Sequence, residues 1–156
     1  MVKLYNESAA QLGFEPQKMR AIQGDLMEPS GPAIYTADFR GFDLAVMCMA
    51  LHHVPDPLAM LRGLVRMLRP GGKVVIIDWT LDPDQDDGTD VVSPQYSSEY
   101  PLAYDGFNRQ QMTRLFKEAG CPVNDYQVHP QPSHVPPMSN PWRHLFIAKG
   151  EMGSGQ

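Results

Sequence analysis

Two adjacent histidines, His52 and His53, have the residue type and the position needed for proton transfer. They come directly after the apolar run from Phe42 to Leu51, which is typical of a strand buried on both faces of a sheet. Because ligands bind at the carboxyl ends of strands in open α/β sheets, either imidazole could act as a general base on a substrate hydroxyl. The alternative is that one histidine packs in the core and the other is solvated. We treat both as candidate catalytic residues.

No metal centre is predicted from the other histidines, the acidic residues or the cysteines. The acidic stretch from Asp82 to Asp90 resembles a calcium loop in composition, but Asp87 stands where an EF-hand needs glycine. The chain has two cysteines, too few to bind zinc alone, and we expect both to be reduced thiols. The remaining histidines lie among prolines and lack the ligand spacing of a zinc site: His129, His134 and His144.

A strand, a helix and a second strand are predicted around the histidines. Asp56 can cap the helix and Pro57 suits its first turn. The helix is expected to stop at the Pro-Gly-Gly turn of residues 70–72, and the β-branched run Lys73–Asp78 predicts the second strand. This order of elements predicts a right-handed parallel crossover.

Further elements follow from apolar periodicity and from caps. A helix is predicted from Met1 to Leu12, and Asn108 with Gln111 forms a capping box for a later helix that ends at Gly120. We therefore expect an α/β fold with a mostly parallel sheet of about four or five strands flanked by helices. Three of the strands are predicted outside the crossover: Lys18–Ile22, Asp125–His129 and Leu145–Lys149.

One domain over residues 1–149 is expected, because 156 residues leave little room for a second. The irregular stretch 80–105 is long for a compact domain, and we interpret it as a substrate lid. Residues 130–142 are too rich in proline for regular structure and are expected to form a loop. Residues 150–156 are predicted to be a flexible tail.

Composition and charge argue against several classes of protein. Lys and Arg total 13 against 18 Asp and Glu, for a formal net charge of -5, and no basic run could follow a nucleic-acid backbone. No apolar run approaches the ~20 residues that span a bilayer, and the first residues lack the pattern of a secretory signal. We expect a cytoplasmic protein that binds neither nucleic acid nor membrane.

Three segments together resemble the class I methyltransferases that use S-adenosylmethionine. They are Gly24-Asp25-Leu26, the run from Phe42 to Val54, and the run from Leu68 to Ile76 with its Pro-Gly-Gly turn. The similarity is closest to the small-molecule branch called type 11 and extends from Met1 to about Lys149. The resemblance implies a Rossmann-like fold, S-adenosylmethionine as cofactor and a small molecule as methyl acceptor.

The resemblance also implies which residues would bind the cofactor. Asp25 would contact the adenine amino group, with Leu26 and Met27 beside the base; the alternative is that Asp25 only caps a short turn. In the family, residues at the end of the fourth strand line the methyl-donor pocket. The alternative is that these residues only pack in the core. Here they correspond to Cys48, Met49, Ala50 and Leu51.

Aromatic side chains in and around the predicted lid could stack on a hydrophobic small substrate. The alternative is that they pack the lid itself as a satellite cluster. The candidate substrate-binding residues are Trp79, Tyr96, Tyr100, Tyr104 and Phe107.

Two parts of the family's cofactor site have no counterpart before Gly24: the glycine-rich loop and the acidic residue that holds the ribose. We therefore expect an incomplete fold that lacks the family's first strand, first helix and second strand. Such a sheet has an unpaired apolar edge, which invites pairing. Either Lys18–Ile22 moves beside Phe42–Met49, or a second copy or partner chain completes the sheet, or the chain folds poorly.

Three functions remain open on this evidence. The first is methyl transfer to a small molecule, dependent on a partner chain or a longer product and with weak or absent donor binding by the isolated chain. The second is a non-catalytic relative that binds or regulates a full-length methyltransferase. The third is a cyclase or isomerase that uses the scaffold without the donor.

Overall fold

The computed structural model describes residues 1–27, 39–80, 104–134 and 142–153. These residues form an α/β fold with a sheet flanked by helices, as predicted. A short 3-10 helix, Leu51–His53, follows the first strand. The helices are α1 Val2–Gln11, α2 Pro57–Arg66 and α3 Arg109–Glu118; the strands are β1 Phe42–Cys48, β2 Leu68–Thr80, β3 Val123–Val128, β4 Ser133–His134 and β5 Trp142–Glu151.

The sheet has the order β1-β2-β5-β3, and β4 pairs with β5. β1 and β2 are parallel, whereas β5 runs antiparallel to β2, β3 and β4. The sheet is thus mixed, not mostly parallel as expected. The connection from β3 to β5 is rich in proline and cannot form the crossover helix that a parallel return needs, so the chain reverses instead.

The predicted β1–α2–β2 crossover is present. The Asp56 side chain caps α2 by accepting the backbone N–H of Ala59 at 2.9 Å, and Pro57 is the first helical residue. α2 buries Leu61, Leu64 and Val65 in the same core cluster as the buried side of β2. The strand begins at Leu68, so it includes the Pro-Gly-Gly turn that was expected to precede it.

The capping box of α3 is also confirmed. Asn108 Oδ1 accepts the backbone N–H of Gln111 at 2.8 Å, and Gln111 Oε1 accepts that of Asn108 at 2.9 Å. Phe116 of α3 is fully buried, and a Cβ on Gly150 of β5 would overlap its ring, so glycine lets helix and strand approach closely. Burial raises the pKa of the Cys121 thiol just beyond this helix, which keeps it neutral in the core.

The two faces of the sheet differ in their cover. One face is buried with α2 and α3 in a single core: Val74, Ile76, Phe146 and Ala148 are all inaccessible to solvent. On the opposite face, Leu44, Val46 and Ile147 are 51%, 55% and 48% exposed. We call these three side chains the open face.

The predicted strand Lys18–Ile22 does not form, so it does not pair with β1. Instead the side chain of Asn6 in α1 satisfies the backbone of Ala21: Asn6 Nδ2 donates to Ala21 O at 3.0 Å, and Ala21 N–H donates to Asn6 Oδ1 at 2.6 Å. The peptide groups that a strand would offer to a neighbour are therefore bound to a helix side chain.

Two other boundaries differ from the prediction. β5 continues through Gly150 and Glu151, which were assigned to the tail, because Glu151 pairs with Lys73 at the start of the apolar part of β2. The short strand β4 lies within the predicted proline-rich loop, where Ser133 pairs with Arg143. Residues 81–103, most of the predicted lid, and residues 154–156 of the tail lie outside the described residues.

None of the helices in the described part of the chain has the length and apolar character required to cross a membrane.

Candidate functional site

The candidate site lies where β1 and β2 end. The chain leaves β1 at Met49, whose φ of 53° is uncommon for a residue other than glycine and marks a sharp change of direction. Met49 still donates its backbone N–H to Ile77 O of β2 at 2.8 Å. The 3-10 helix Leu51–His53 follows at once, and this geometry brings His52 over the end of β2.

His52 and Asp78 form a buried pair at this position. His52 Nδ1 lies 2.6 Å from Asp78 Oδ1, and the two side chains are 6% and 0% exposed. Asp78 also accepts the backbone N–H of His52 at 3.2 Å through Oδ2 and that of Trp79 at 2.8 Å through Oδ1. One carboxylate therefore joins the turn after β1 to the end of β2.

The hydrogen bonds of Asp78 fix the role of the ring nitrogen of His52 that faces it. A carboxylate accepts hydrogen bonds, so Nδ1 of His52 donates to it. A carboxylate bonded to one ring nitrogen in this way holds the tautomer and the ring orientation. The pair thus has the arrangement of an oriented imidazole base.

The two histidines have different environments, in line with the alternative that one packs in the core and the other is solvated. His52 is packed, with 5% of its surface exposed, whereas His53 is exposed. Their ring centroids are 4.1 Å apart, and the Trp79 ring lies 6.5 Å from that of His52. An exposed imidazole thus lies against a fixed one, and the exposed ring is the one that an acceptor molecule could reach.

The segment that returns after residue 103 borders the site. Tyr104 donates its backbone N–H to His52 O at 3.1 Å, and Phe107 donates to Trp79 O at 2.8 Å. Trp79 and Tyr104 are partly buried and remain candidates for substrate contact. Phe107, also predicted to bind substrate, is 1% exposed and packs in the core. Tyr96 and Tyr100 lie outside the described residues.

The strand-end residues predicted to line a donor pocket are partly accessible. Cys48 is exposed, and Met49 and Ala50 are half-buried at the end of β1. Leu51 is fully buried in the core, which agrees with the alternative of ordinary core packing. Its burial follows from the turn, which directs Leu51 into the core as His52 turns toward Asp78.

The other predicted part of the donor site, Asp25 to Met27, lies against α2. Asp25 Oδ1 accepts the backbone N–H of Met27 at 2.9 Å, so Asp25 caps a turn, as its alternative interpretation states. Leu26 O accepts from Arg66 at 3.2 Å, and the backbone of Leu26 lies where a Cβ on Gly63 would be. This segment thus packs on the second half of α2.

Leu26 and Met27 pack against the same core cluster that contains Leu51. Gly63, which the backbone of Leu26 contacts, is six residues beyond the first residue of α2, about 9 Å along the helix axis. Within the described residues, no three His, Cys, Asp or Glu side chains lie close enough together to hold a metal ion.

Asp78 is the site residue that the sequence analysis missed. It was assigned only to a strand, yet it is an acidic residue at the end of the β-branched run Val74–Ile77. A carboxylate that follows a buried strand is itself buried only when it is paired. That signal, together with the histidines after the neighbouring strand, could have identified the pair.

Comparisons with known proteins agree on one kind of domain. A family model described as a methyltransferase domain matches residues 6–126. An uncharacterised methyltransferase of Schizosaccharomyces pombe is 26% identical over 122 residues, which is 76% of this chain and 41% of that protein. The chain thus spans about two fifths of the length of this curated relative.

Solved structures share the fold at low identity. A protein of Bacillus halodurans described as a methyltransferase has a TM-score of 0.68 at 15% identity, covering 97% of this chain and 78% of its own. The [4+2]-cyclase SpnF has a TM-score of 0.68 at 14% identity, covering 99% of this chain and 63% of its own. A Burkholderia thailandensis 1,6-didemethyltoxoflavin N1-methyltransferase has a TM-score of 0.62 at 19% identity, covering 96% of this chain and 56% of its own.

Asp78→Asn should lower the free energy of unfolding by about 2 to 4 kcal/mol, because an amide cannot accept all the hydrogen bonds that the buried carboxylate accepts. Urea denaturation followed by circular dichroism measures this loss. Asp43→Asn is the matched control: Asp43 Oδ1 lies 2.6 Å from Arg69 Nε, but the side chains are 79% and 53% exposed. Its expected change is within about 1 kcal/mol. Equal losses in the two variants would contradict the role given to burial.

Proposed function

Because the chain belongs to the methyltransferase domain family, we propose that it takes part in methyl transfer from S-adenosylmethionine to a small molecule. The observation that carries this proposal is the exposed His53 lying against the His52–Asp78 pair at the carboxyl ends of β1 and β2. That edge is where ligands bind in open α/β sheets. Family and site geometry thus support the same chemistry.

The acceptor side of the reaction is assigned to the histidines. A hydroxyl or amine becomes a better nucleophile when a base removes its proton, and an imidazole has the pKa range for this task near neutral pH. His53 is exposed and is the proposed base. His52, fixed by Asp78 at 2.6 Å, is a positioning residue that supports the ring of His53. Trp79 and Tyr104 are the proposed apolar contacts for the acceptor.

The donor side is proposed to be completed by another polypeptide or by a longer product of the same gene. When bound, S-adenosylmethionine supplies an electrophilic methyl group. Cys48, Met49 and Ala50 are the residues proposed to lie beside the donor, with Asp25, Leu26 and Met27 beside its adenine. Because no counterpart of the glycine-rich loop or of the ribose acid precedes Gly24, no catalytic step is assigned to donor contacts within this chain.

Two structural neighbours bear on the substrate class. The Burkholderia thailandensis enzyme was crystallised with 1,6-didemethyltoxoflavin and S-adenosylhomocysteine, which supports a small-molecule acceptor. SpnF is described as a [4+2]-cyclase and overlaps with 99% of this chain, so cyclisation is kept as the second candidate function. At 14% identity this likeness shows the fold alone, so methyl transfer remains the first proposal.

The purified chain should bind S-adenosylmethionine in the millimolar range or not measurably. A site without the glycine-rich loop and the ribose acid lacks several charge-assisted hydrogen bonds of about 1.5–3 kcal/mol each, and each 1.4 kcal/mol is about tenfold in affinity. Isothermal titration calorimetry measures the dissociation constant. The same titration of the chain in its complex or longer product should give micromolar affinity. Micromolar affinity of the purified monomer would overturn the proposed dependence on added strands.

His53→Ala should lower the rate of methyl transfer by about 10²–10⁴-fold, the usual contribution of a general base. The tagged chain is isolated from its source cells with its bound partner, or as its longer product, and supplied with methyl-labelled S-adenosylmethionine and a small-molecule extract. His134→Ala, another exposed histidine, is the control and should leave labelling unchanged.

The same assay separates the three functions. Labelling that requires the intact chain and His53 supports methyl transfer. Labelling that His53→Ala leaves unchanged contradicts the assignment of the base and indicates a non-catalytic chain that binds an active relative. Conversion of a small molecule in the absence of S-adenosylmethionine would favour cyclisation or isomerisation.

A further inference from the structure

The outer sides of α2 and α3 carry charges of one sign. These two helices contain five basic residues and a single acidic residue, Glu118, although the whole chain has more acidic than basic residues. All six residues are exposed. The basic residues are Arg62, Arg66, Arg109, Arg114 and Lys117. We call these five side chains the basic face.

The basic face differs from the ordinary solvated side of a surface helix, on which charges of both signs alternate. α1 has that ordinary pattern, because Lys3 and Glu7 lie one turn apart and form an ion pair at 3.8 Å. On the basic face, by contrast, Arg114 and Lys117 lie within one turn of each other and carry the same charge. Like charges at this spacing repel each other, and a bound anion would relieve the repulsion.

Two arginines of the basic face are held by neutral groups. Arg62 Nη2 donates to the backbone O of Glu118 at 3.5 Å, which brings a charge of α2 to the end of α3. Arg109 Nη2 donates to Tyr126 O at 3.0 Å, and its guanidinium lies 4.7 Å from the centroid of the Tyr126 ring. A carbonyl and an aromatic ring have no net charge, so these contacts leave the positive charge uncompensated. Because a guanidinium has several N–H donors, Arg109 is fixed in place and still able to bind a carboxylate.

The α3 part of the basic face surrounds a shallow depression of about 620 Å³. Its lining consists of charged and polar side chains that follow one another along the outer side of the helix. They are Arg109, Gln110, Thr113, Arg114, Lys117 and Glu118. The depression therefore offers several cationic side chains to one extended or helical segment of another molecule.

We propose that the basic face binds an acidic segment of a partner protein through carboxylate–guanidinium hydrogen bonds. A membrane surface fits less well, because none of the exposed large apolar side chains of the described residues lies in α2 or α3, and an interfacial helix needs such side chains. Nucleic acid also fits less well. The formal net charge of -5 repels an extended polyanion, whereas a short acidic segment contacts only the basic face.

The basic face is separate from the residues assigned to methyl transfer. It lies on the two long helices that cover the core, whereas the candidate site lies at the ends of β1 and β2. Binding of an acidic segment therefore requires neither the methyl donor nor the acceptor. Binding and methyl transfer are measured separately, so failure of one is distinguishable from failure of the other.

Fluorescence anisotropy tests this binding on the purified chain. The probe is a labelled helical peptide with glutamates along one side, and the same peptide with glutamine in their place is its control. The natural chain should bind the glutamate peptide at low ionic strength, and the affinity should fall by about tenfold or more at ~1 M salt, where charges are screened within ~3 Å. No binding of the glutamate peptide, or equal affinity for the glutamine peptide, overturns the proposal.

Charge reversal locates the binding surface. Arg114→Glu combined with Lys117→Glu should weaken binding of the glutamate peptide by about tenfold or more, because charge-assisted hydrogen bonds are replaced by repulsion. Lys18→Glu combined with Arg20→Glu is the matched control, since both residues are exposed, lie outside the helices and give the same change in net charge. Its affinity should stay within about twofold of the natural chain. Equal weakening by the two double variants would show a general charge effect and contradict a local site.

Chemical-shift mapping on the natural chain gives a second measurement if a variant fails to fold. In the ¹⁵N-labelled chain, the glutamate peptide should shift amide signals of α3 and leave those of α1 unchanged. Single-stranded oligothymidylate and phosphatidylserine vesicles serve as competitors at equal total negative charge. Largest shifts outside α2 and α3, or displacement of the peptide by either competitor at a lower concentration of charge than that of the peptide, would overturn the assignment to an acidic protein segment.

Discussion

The carboxylate of Asp78 is the group on which the arrangement of the site depends. It is fully buried, and a buried carboxylate is tolerated only when hydrogen-bond donors surround it. His52 supplies two of these donors and Trp79 a third. Satisfying this one group requires the chain to turn sharply at Met49, to form the 3-10 helix and to place His52 over β2. The exposed position of His53 follows from the same turn.

The fold covers one face of its sheet and leaves the other half-exposed. α2 and α3 form a single core with β2 and β5, in which Phe116 and Phe146 are inaccessible. Across the sheet, the apolar side chains of the open face are about half-exposed, and among the described residues β1 pairs only with β2. Hydrophobic burial favours the addition of further chain at that side. The site and the outer edge of the sheet meet at β1, so whatever pairs with β1 lies beside the site.

Local signals in the sequence predicted the crossover and the helix caps well. Asp56 and the Asn108–Gln111 box act through hydrogen bonds within a few residues, so their outcome depends little on the rest of the chain. The division of the histidines into a packed and a solvated residue was foreseen as an alternative. Which histidine is packed depended on Asp78, more than twenty residues away, and no local pattern carries that information.

The outcomes that the sequence pattern did not show also have a tertiary cause. Lys18–Ile22 has strand character, but a strand needs a neighbour, and the side chain of Asn6 bonds to Ala21 instead. Phe107 has the residue type for a substrate contact, yet Trp79 O binds its backbone and its ring enters the core. Leu51 is directed inward by a turn that the strand pattern does not show. In each case a contact distant in sequence decided the outcome.

The tautomer of His52 tests the central interaction most directly. Long-range proton–nitrogen NMR spectra of the ¹⁵N-labelled chain at neutral pH distinguish a protonated Nδ1 from a protonated Nε2. The buried hydrogen bond to Asp78 predicts a proton on Nδ1 of His52. In the Asp78→Asn variant this preference should be lost. Protonation of Nε2 alone in the natural chain, or spectra of an averaged, freely exchanging ring, would contradict the pairing that positions the site.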